Sequence, residues 1–252
     1  MTTIVGIGGG ELNLRDNLPF NRLIVKMAQA TQPNALFIPT ASNDDPLHYE
    51  VFKEVYGNQL GCKTDQLLLM NEPMSANQIA EKINKADIVF VGPGNSLMMM
   101  RRLRHLKVAP LLYKAFQKGT LMAGIGAGAS CWFRFGHSDA MSFYESKKRG
   151  NWKFIRVKCL GLVDRLMLSP YYQNKERQQD FEMMVDRLGT TGIGLPEKMA
   201  IVVKDGYYKL FSDNTKQVAY KVYKLRGKSV SVPIEVVDEW RSLGQLLQRP
   251  QV

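Results

Sequence analysis

The chain has 252 residues, of which 45% are hydrophobic and 23% charged, and its formal net charge at pH 7 is +11. This length and balance are typical of a globular protein with a large core, and they exclude fibrous and intrinsically disordered classes. No apolar run approaches the roughly 20 residues that cross a bilayer, and the N-terminus has neither a basic leader nor a small-residue cleavage site. We therefore expect a cytoplasmic protein without a membrane partner.

Cysteine and histidine are too sparse and too scattered to indicate a disulfide framework or a metal site. The three residues of each type are Cys62, Cys131 and Cys159, and His48, His105 and His137. We expect neither a metal nor a cofactor. The positive charge keeps nucleic acid open as a weaker hypothesis. However, the basic clusters at 101–105 and 147–149 are short and lack the interleaved aromatic residues of single-strand binders.

Strand-like and helical patterns alternate through the first half of the chain. Predicted strands cover residues 3–8, 34–39, 64–70 and 86–91, and predicted helices cover 20–28, 46–60, 75–84, 97–103 and 110–119. Strands separated by helices of this length indicate right-handed βαβ units and a parallel sheet. The methionines at 98–100 we interpret as core residues rather than as contacts to a cofactor.

A short apolar run at residues 120–133 is interrupted by glycine and alanine. This pattern predicts a buried strand, a very tight turn and a helix packed closely on the strand, because larger side chains would hold the two elements apart. In enzymes with a nucleophile elbow, the apex of such a turn is Ser or Cys. Here the apex is Gly126.

The second half of the chain predicts fewer βαβ units and more hairpins. A polar turn is expected at 136–139, a basic loop at 145–152, a strand at 166–169 and a helix at 175–188. Short runs between 193 and 232 alternate with Asp-Gly, Asp-Asn and Arg-Gly pairs, which are hairpin signals. We predict an antiparallel hairpin extension on one sheet edge, a final helix at 234–247, and a single domain over residues 1–252.

Six motifs in a fixed order carry a resemblance to a known family. They read GIGGGE, FIPTAS, VGPGNS, GIGAGASCWFRFGHSD, LSPYYQNKERQQDF and LPEKMAIVV. This order resembles the peptidase E (aspartyl dipeptidase) and cyanophycinase-like serine peptidases, whose fold is similar to the class I glutamine amidotransferases. The resemblance covers nearly the whole chain. It implies a three-layer α/β sandwich with a mostly parallel central sheet.

The resemblance also implies which positions would form a catalytic site. Gly126 occupies the position of the serine nucleophile, Tyr171 that of the general-base histidine, and Asp139 that of the acid. The ligand and oxyanion loops correspond to Gly9, Gly10, Gly92, Gly94, Asn95 and Ala127. Pro93 stands where the family usually has a glycine, and proline has no N–H to donate to an oxyanion.

These substitutions remove the family's usual mechanism at the matching positions. Serine hydrolysis needs a nucleophilic oxygen or sulfur and a base that accepts its proton near neutral pH. Glycine has no such atom, and an ordinary tyrosine, with a pKa of about 10, is a poor base at pH 7.

The sequence leaves a relocated nucleophile open. Ser130 and Cys131 lie one helical turn beyond Gly126, although we prefer a helix-packing serine and a buried thiol. Ser42 and Ser96 follow strands, and helix capping explains them equally well. His137 lies near Asp139 and could pair with it, but we prefer a histidine in a surface turn.

Three hypotheses follow from these residues and from the resemblance. The first is a peptidase E-like, catalytically degenerate protein that keeps a crevice for a small peptide or an acidic small molecule, with a protein partner or a homo-oligomer also open. The basic balance suits a carboxylate-bearing ligand. The second is an active serine-type exopeptidase that acts on Asp-X peptides with a relocated nucleophile. The third, weaker hypothesis is a basic nucleic-acid-associated protein.

Overall fold

The computed structural model describes residues 1–13, 17–70, 74–144, 154–213 and 216–248. The predicted basic loop at 145–152, which includes the cluster at 147–149, lies outside these residues. None of the helices within the described ranges is both long and apolar enough to cross a membrane.

Strands and helices alternate through the first half of the chain, and strands dominate the second half. The strands are β1 Thr3–Ile7, β2 Asn34–Ile38, β3 Lys63–Gln66, β4 Ile88–Val91, β5 Leu121–Ile125, β6 Phe133–Ser138, β7 Ile155–Lys158, β8 Val163–Pro170, β9 Thr191–Leu195, β10 Met199–Lys204, β11 Tyr207–Ser212, β12 Ala219–Leu225, β13 Lys228–Ile234 and β14 Arg241–Ser242. The helices are α1 Leu18–Met27, α2 Pro46–Phe52, α3 Ala76–Lys85, α4 Ser96–His105, α5 Val108–Lys118, α6 Ala127–Ser130, α7 Lys175–Leu188 and α8 Leu243–Leu247. A π-helical segment, Lys53–Gln59, continues α2.

The larger sheet has the strand order β14-β11-β10-β1-β5-β4-β2-β3. Its strands β1, β5, β4, β2 and β3 are parallel, and β10, β11 and β14 continue it antiparallel beyond β1. This arrangement confirms the predicted mostly parallel sheet with an antiparallel extension on one edge. The carboxyl ends of β1, β2, β4 and β5 meet along one side of the sheet, where ligand crevices form in α/β folds.

Helices cover both faces of the larger sheet, which confirms the predicted layered α/β class. On one face, Phe20 and Ile24 of α1 and Phe52 of α2 belong to one buried apolar cluster with sheet residues such as Phe37 and Phe90. On the other face, α3, α4 and α5 contribute to a second cluster, which also includes residues of β6, β8 and β9.

A second sheet, which the sequence did not predict, has the order β13-β12-β9-β8-β6-β7. The hairpin of β12 and β13 therefore pairs with β9 rather than with the larger sheet. The helix expected after the tight turn is only one turn long, because α6 ends at Ser130 and β6 begins at Phe133. Buried Phe133, exposed Arg134 and half-buried Phe135 follow the two-residue alternation of a strand.

Two predicted element bounds are corrected by local pairing. The strand expected at 64–70 ends at Gln66, and Asp44 then accepts hydrogen bonds from the N–H groups of Leu69 and Met70, both at 2.6 Å. The final helix expected at 234–247 is confined to Leu243–Leu247. The β-branched alternation of β13 continues as a strand to Ile234 instead.

Candidate active site

The tight turn between β5 and α6 lies at the carboxyl edge of the parallel strands. Its apex, Gly126, has φ +58° and ψ −112°, a conformation that strains any residue with a Cβ. The Gly126 N–H donates to the Ile7 carbonyl of β1 at 3.1 Å. The turn is therefore fixed against the central strand of the sheet.

Glycine is required around this turn because α6 contacts the sheet backbone directly. A Cβ added at Gly128 would lie 2.0 Å from the carbonyl oxygen of Val91, and one added at Gly124 would lie 2.4 Å from the carbonyl carbon of Gly128. Contacts this short are excluded between real atoms. The close approach predicted from the glycine and alanine content is confirmed.

The ring of Tyr171 covers Gly126. A Cβ at Gly126 would lie 3.0 Å from Tyr171 Oη, and a Cβ at Gly9 would lie 2.5 Å from both Cδ1 and Cε1 of the same ring. Tyr171 has φ +55°, and its N–H donates to the Gly8 carbonyl at 2.7 Å. The structure thus brings together Gly9, Gly126 and Tyr171, and the phenol fills the space directly over the apex.

Tyr171 is less able than an ordinary tyrosine to act as a base at neutral pH, because its phenol holds its proton more firmly. Burial raises the pKa of its phenol, the carboxylates of Glu197 and Asp139 raise it further, and the Arg177 guanidinium opposes them. The side chain therefore keeps its proton at neutral pH. Glu197 was missed in the sequence because only the fold brings it beside Gly9, where a Cβ would lie 2.9 Å from Glu197 Cγ.

The loop after β4 is fixed to the loop after β2. The Gly92 N–H donates to the Ile38 carbonyl at 3.1 Å, and the Asn95 N–H donates to the Ala41 carbonyl at 2.7 Å. At Gly94, with φ +132°, an added Cβ would lie 2.2 Å from the Ala41 oxygen. The N–H groups of residues 92 and 95 therefore already donate to carbonyls of the neighbouring loop, and Pro93 has no N–H. A role for this loop in binding an oxyanion remains a prediction.

Asp139 pairs with a buried arginine of α7. Arg177 Nη2 donates to Asp139 Oδ2 at 2.7 Å; the arginine side chain is 6% exposed and the aspartate side chain 47%. The guanidinium carbon also lies 4.8 Å from the Phe154 ring centre and 5.9 Å from that of Tyr171. Arg177 thus connects Asp139 to the tyrosine over Gly126.

Replacing Asp139 with asparagine is expected to lower the free energy of unfolding by about 2–3 kcal/mol, because it leaves the Arg177 cation buried without its counter-charge. The loss is smaller than for a fully buried pair because Asp139 is half-exposed. Urea denaturation measures the change. The matched control is Asp164→Asn, whose partner Arg134 lies at 3.8 Å with both side chains exposed, and which should cost less than about 1 kcal/mol. Equal losses in the two variants would contradict this account.

His137 is buried on β6, so the expected surface turn at 136–139 is wrong. Its side chain is 0% exposed. Its Nδ1 lies 2.9 Å from Ser169 Oγ and its Nε2 lies 2.9 Å from Asp180 Oδ1. The hydrogen-bonded carboxylate is therefore Asp180 of α7 rather than Asp139. Ser169 is also 0% exposed, so this Ser–His–Asp arrangement is closed to substrate.

Stability is expected to fall as the pH drops below about 6.5. Burial lowers the pKa of His137 from its ordinary 6.5 and Arg177 lowers it too, against the opposing Asp180 and Asp139 carboxylates. Below pH 6.5 the imidazole of His137 is protonated in the unfolded chain but stays neutral in the folded chain. The free energy of unfolding therefore falls by up to about 1.4 kcal/mol per pH unit, until the pH reaches the pKa of His137 in the folded state. Denaturation between pH 5 and 7.5 measures this slope. If a folded His137→Gln variant showed the same change in stability with pH, the slope would arise from other titratable groups.

An apolar cavity of about 550 Å³ opens beside the loop after β4. Its lining includes Ser42, His48, Pro93, Asn95, Met98 and Tyr144. Of the predicted site residues, it therefore contains Asn95 together with Gly94, but not Gly126, Tyr171 or Asp139. We refer to it below as the apolar cavity.

Comparison with known protein families identifies the family of this chain. A sequence profile described as peptidase family S51 matches residues 4–211. The chain belongs to peptidase family S51. The resemblance predicted from the six motifs is confirmed at the level of the family.

One relative and two solved structures are similar to this chain over most of its length. The chain is 25% identical over 239 residues to the uncharacterized peptidase YgaJ of Bacillus subtilis (strain 168), covering 94% of this chain and 98% of the relative. A peptidase from an acI-B1 Actinobacterium superposes with a TM-score of 0.73 at 16% identity, over 96% of this chain and 97% of the other. A putative peptidase E protein from Listeria monocytogenes EGD-e has a TM-score of 0.63 at 20% identity, over 85% and 100%. These structures confirm the predicted fold class.

The candidates for a relocated nucleophile in this S51 protein are packed in its core. Ser130 is 0% exposed and donates to the Ala127 carbonyl at 3.0 Å. Cys131 is 0% exposed, and burial raises the pKa of its thiol well above the ordinary value. The preferred interpretation of both residues, a helix-packing serine and a buried thiol, is confirmed.

Ser42 and Ser96 do not cap the helices that follow them. Ser42 Oγ donates back to the Pro39 carbonyl at 2.8 Å. Buried Ser96 accepts a hydrogen bond from Ser138 Oγ at 3.2 Å. The residue that caps α4 is Asn95, whose Oδ1 accepts from the Met98 N–H at 2.9 Å. Asn95 therefore has a structural role in addition to its place in the apolar cavity.

Two arginines of the basic cluster at 101–105 are committed to structural contacts. Arg102 donates to the carbonyls of Leu69 and Met70, and Arg104 donates to the carbonyl of Lys158. These bonds connect α4 to the loop after β3 and to the end of β7. They explain part of the cluster without a nucleic-acid partner.

Proposed function

We propose that this S51 protein has lost the serine hydrolytic mechanism and retains a crevice that binds short peptides. The observation that carries the proposal is the position of Tyr171, whose Oη lies 3.0 Å from the place that a Cβ of residue 126 would take. A serine mechanism needs a nucleophilic oxygen or sulfur at that place and a base beside it. Gly126 has no such atom, and the raised pKa of Tyr171 keeps its proton in place.

The apolar cavity, beside the loops that follow β2 and β4, supports a binding role. It combines apolar walls from Pro93 and Met98 with polar groups from Asn95 and Ser42, the mixture that small-ligand sites usually present. At its rim Phe143 is 61% exposed and Tyr144 is 51% exposed. Large apolar side chains at a concave surface favour a ligand that has an apolar or aromatic side chain of its own.

The charges beside Tyr171 favour an amino group over an acidic ligand. The carboxylates of Glu197, Asp139 and Glu11 act on the Tyr171 phenol against the single guanidinium of Arg177. That guanidinium is already paired with Asp139. The positive net charge of the chain therefore does not extend to this point, and we propose a neutral short peptide with a free amino terminus as the ligand.

The experiment is a calorimetric titration with Phe-Leu and Asp-Leu dipeptides, followed by mass spectrometry of the mixture. We expect saturable binding of Phe-Leu, weaker binding of Asp-Leu, and recovery of both peptides intact. Tyr144→Ala should weaken Phe-Leu binding at least five-fold. The matched control is Tyr113→Ala, since Tyr113 is 50% exposed on α5 and does not line the cavity. No binding, or equal weakening by both variants, would contradict the proposal.

A further inference from the structure

The second sheet contains an irregularity that places an arginine in a strained conformation. Val163 of β8 pairs with Phe133 of β6, and Met167 pairs with Phe135. The step between these two pairs is therefore four residues along β8 but only two along β6. The extra residues, Asp164 and Arg165, form a bulge, a feature that often redirects a side chain toward a functional site. Arg165 has φ +61°, which is costly for a residue with a long side chain.

This bulge forms one wall of a cavity of about 460 Å³ at the amino-terminal ends of β6, β8 and β9. Its lining includes Arg134, Phe135, Asp164, Arg165, Thr190 and Thr191, and we refer to it as the arginine cleft. Threonine hydroxyls can donate hydrogen bonds to an anion. The cleft involves different strands from the turn at Gly126 and does not depend on the proposed peptide site.

Positive charge dominates the arginine cleft. Arg134 and Arg165 line it. Arg156 is not a lining residue, but its guanidinium lies 4.4 Å from the centre of the ring of Phe135, which is. Asp164 also lines the cleft and lies 3.8 Å from Arg134 with both side chains exposed, so the lining arginines exceed the lining carboxylate by one formal charge. Among the residues that the structure describes, Arg165 and Arg156 form no ion pair.

We propose that the arginine cleft binds a small phosphorylated ligand. Guanidinium groups present paired N–H donors that match phosphate oxygens, and they are less strongly hydrated than ammonium groups. The guanidinium carbon of Arg134 lies 5.9 Å from the centre of the Phe135 ring, and this cation–π contact orients the lining arginine. A concave site of this volume suits a small molecule better than an extended nucleic-acid strand.

The experiment uses inorganic pyrophosphate as the probe, titrated into the full chain by calorimetry at constant ionic strength. We expect saturable binding that Arg165→Gly weakens at least ten-fold and Arg134→Gln weakens as well. Arg165→Gly should leave the melting temperature unchanged or raise it, because glycine adopts the positive φ without strain. The loss of binding would then not arise from unfolding.

The matched control is Arg226→Gly in the turn between β12 and β13. Arg226 is exposed and has φ +49°, so the substitution removes the same charge from the same kind of backbone position. We expect it to leave pyrophosphate binding unchanged. The proposal is overturned by an absence of saturable binding, by equal weakening in Arg226→Gly, or by an oligonucleotide that displaces pyrophosphate with a steep salt dependence, which would indicate a nucleic-acid surface instead.

Discussion

Replacing Gly128 with alanine is expected to lower the free energy of unfolding by more than about 4 kcal/mol or to prevent folding. The added Cβ would lie 2.0 Å from the carbonyl oxygen of Val91 and 2.9 Å from that of Gly92. Both contacts are with backbone, which cannot rotate away as a side chain can. Relief requires α6 to separate from β4, which would open the core beneath the tight turn. Soluble yield and guanidinium denaturation measure the effect.

The matched control is Gly57→Ala in the π-helical segment Lys53–Gln59. A Cβ there would meet Thr64 Cγ2 at 3.5 Å, an ordinary contact, and Gly57 does not have a positive φ. Alanine at this position should be neutral or stabilising by up to about 1 kcal/mol. If Gly128→Ala were as stable as Gly57→Ala, the close packing of α6 on β4 would be contradicted.

The double change Gly126→Ser with Tyr171→His is expected to produce peptide hydrolysis at least about 100-fold above the background of the unmodified protein, since general-base assistance alone contributes 10²–10⁴-fold. The backbone at Gly126, with φ +58° and ψ −112°, would present the serine at the apex of the turn. Histidine is smaller than tyrosine and tolerates the positive φ of residue 171 better. Release of products from Phe-Leu and Asp-Leu dipeptides, followed by mass spectrometry, measures the gain.

Each single change should remain inactive, because nucleophile and base act as a unit. Gly126→Ser alone would also place its Cβ 3.0 Å from Tyr171 Oη, and it should cost about 1–3 kcal/mol of stability through backbone strain. The matched control is Gly126→Ala with Tyr171→His, which has the same backbone and base without the hydroxyl. A folded double variant that stays inactive would contradict the expectation and direct attention to Pro93.

Local sequence patterns predicted the elements that can be recognised from their own residues, without knowledge of distant partners. The β-branched run of β4 and the helical spacing of α7 were readable because each element's own period defines its buried face. The glycines of the tight turn were equally readable, since close packing leaves little choice of residue. The burial of Cys131 followed from its position one helical turn beyond the apex.

Features that depend on distant partners were predicted wrongly or missed. His137 was expected in a surface turn, but its partners Ser169 and Asp180 lie 32 and 43 residues away. Glu197 was overlooked because only the pairing of β10 with β1 brings the preceding turn beside Gly9. Tyr171 was predicted to stand at the position of the general base, but the sequence did not indicate that its ring would fill the space over Gly126. Long-range pairing, rather than local propensity, determines each of these positions.

The most direct measurement of the central claim is peptide turnover by the unmodified protein. The protein at high concentration is incubated with Asp-X and aromatic dipeptides, and products are quantified by mass spectrometry beside a sample treated with a serine-reactive phosphonate. We predict no product above buffer and no phosphonate adduct, together with the peptide binding described above. Turnover that disappears in Ser130→Ala, Cys131→Ala or Ser169→Ala would contradict the loss of the hydrolytic mechanism and would identify the nucleophile that replaced it.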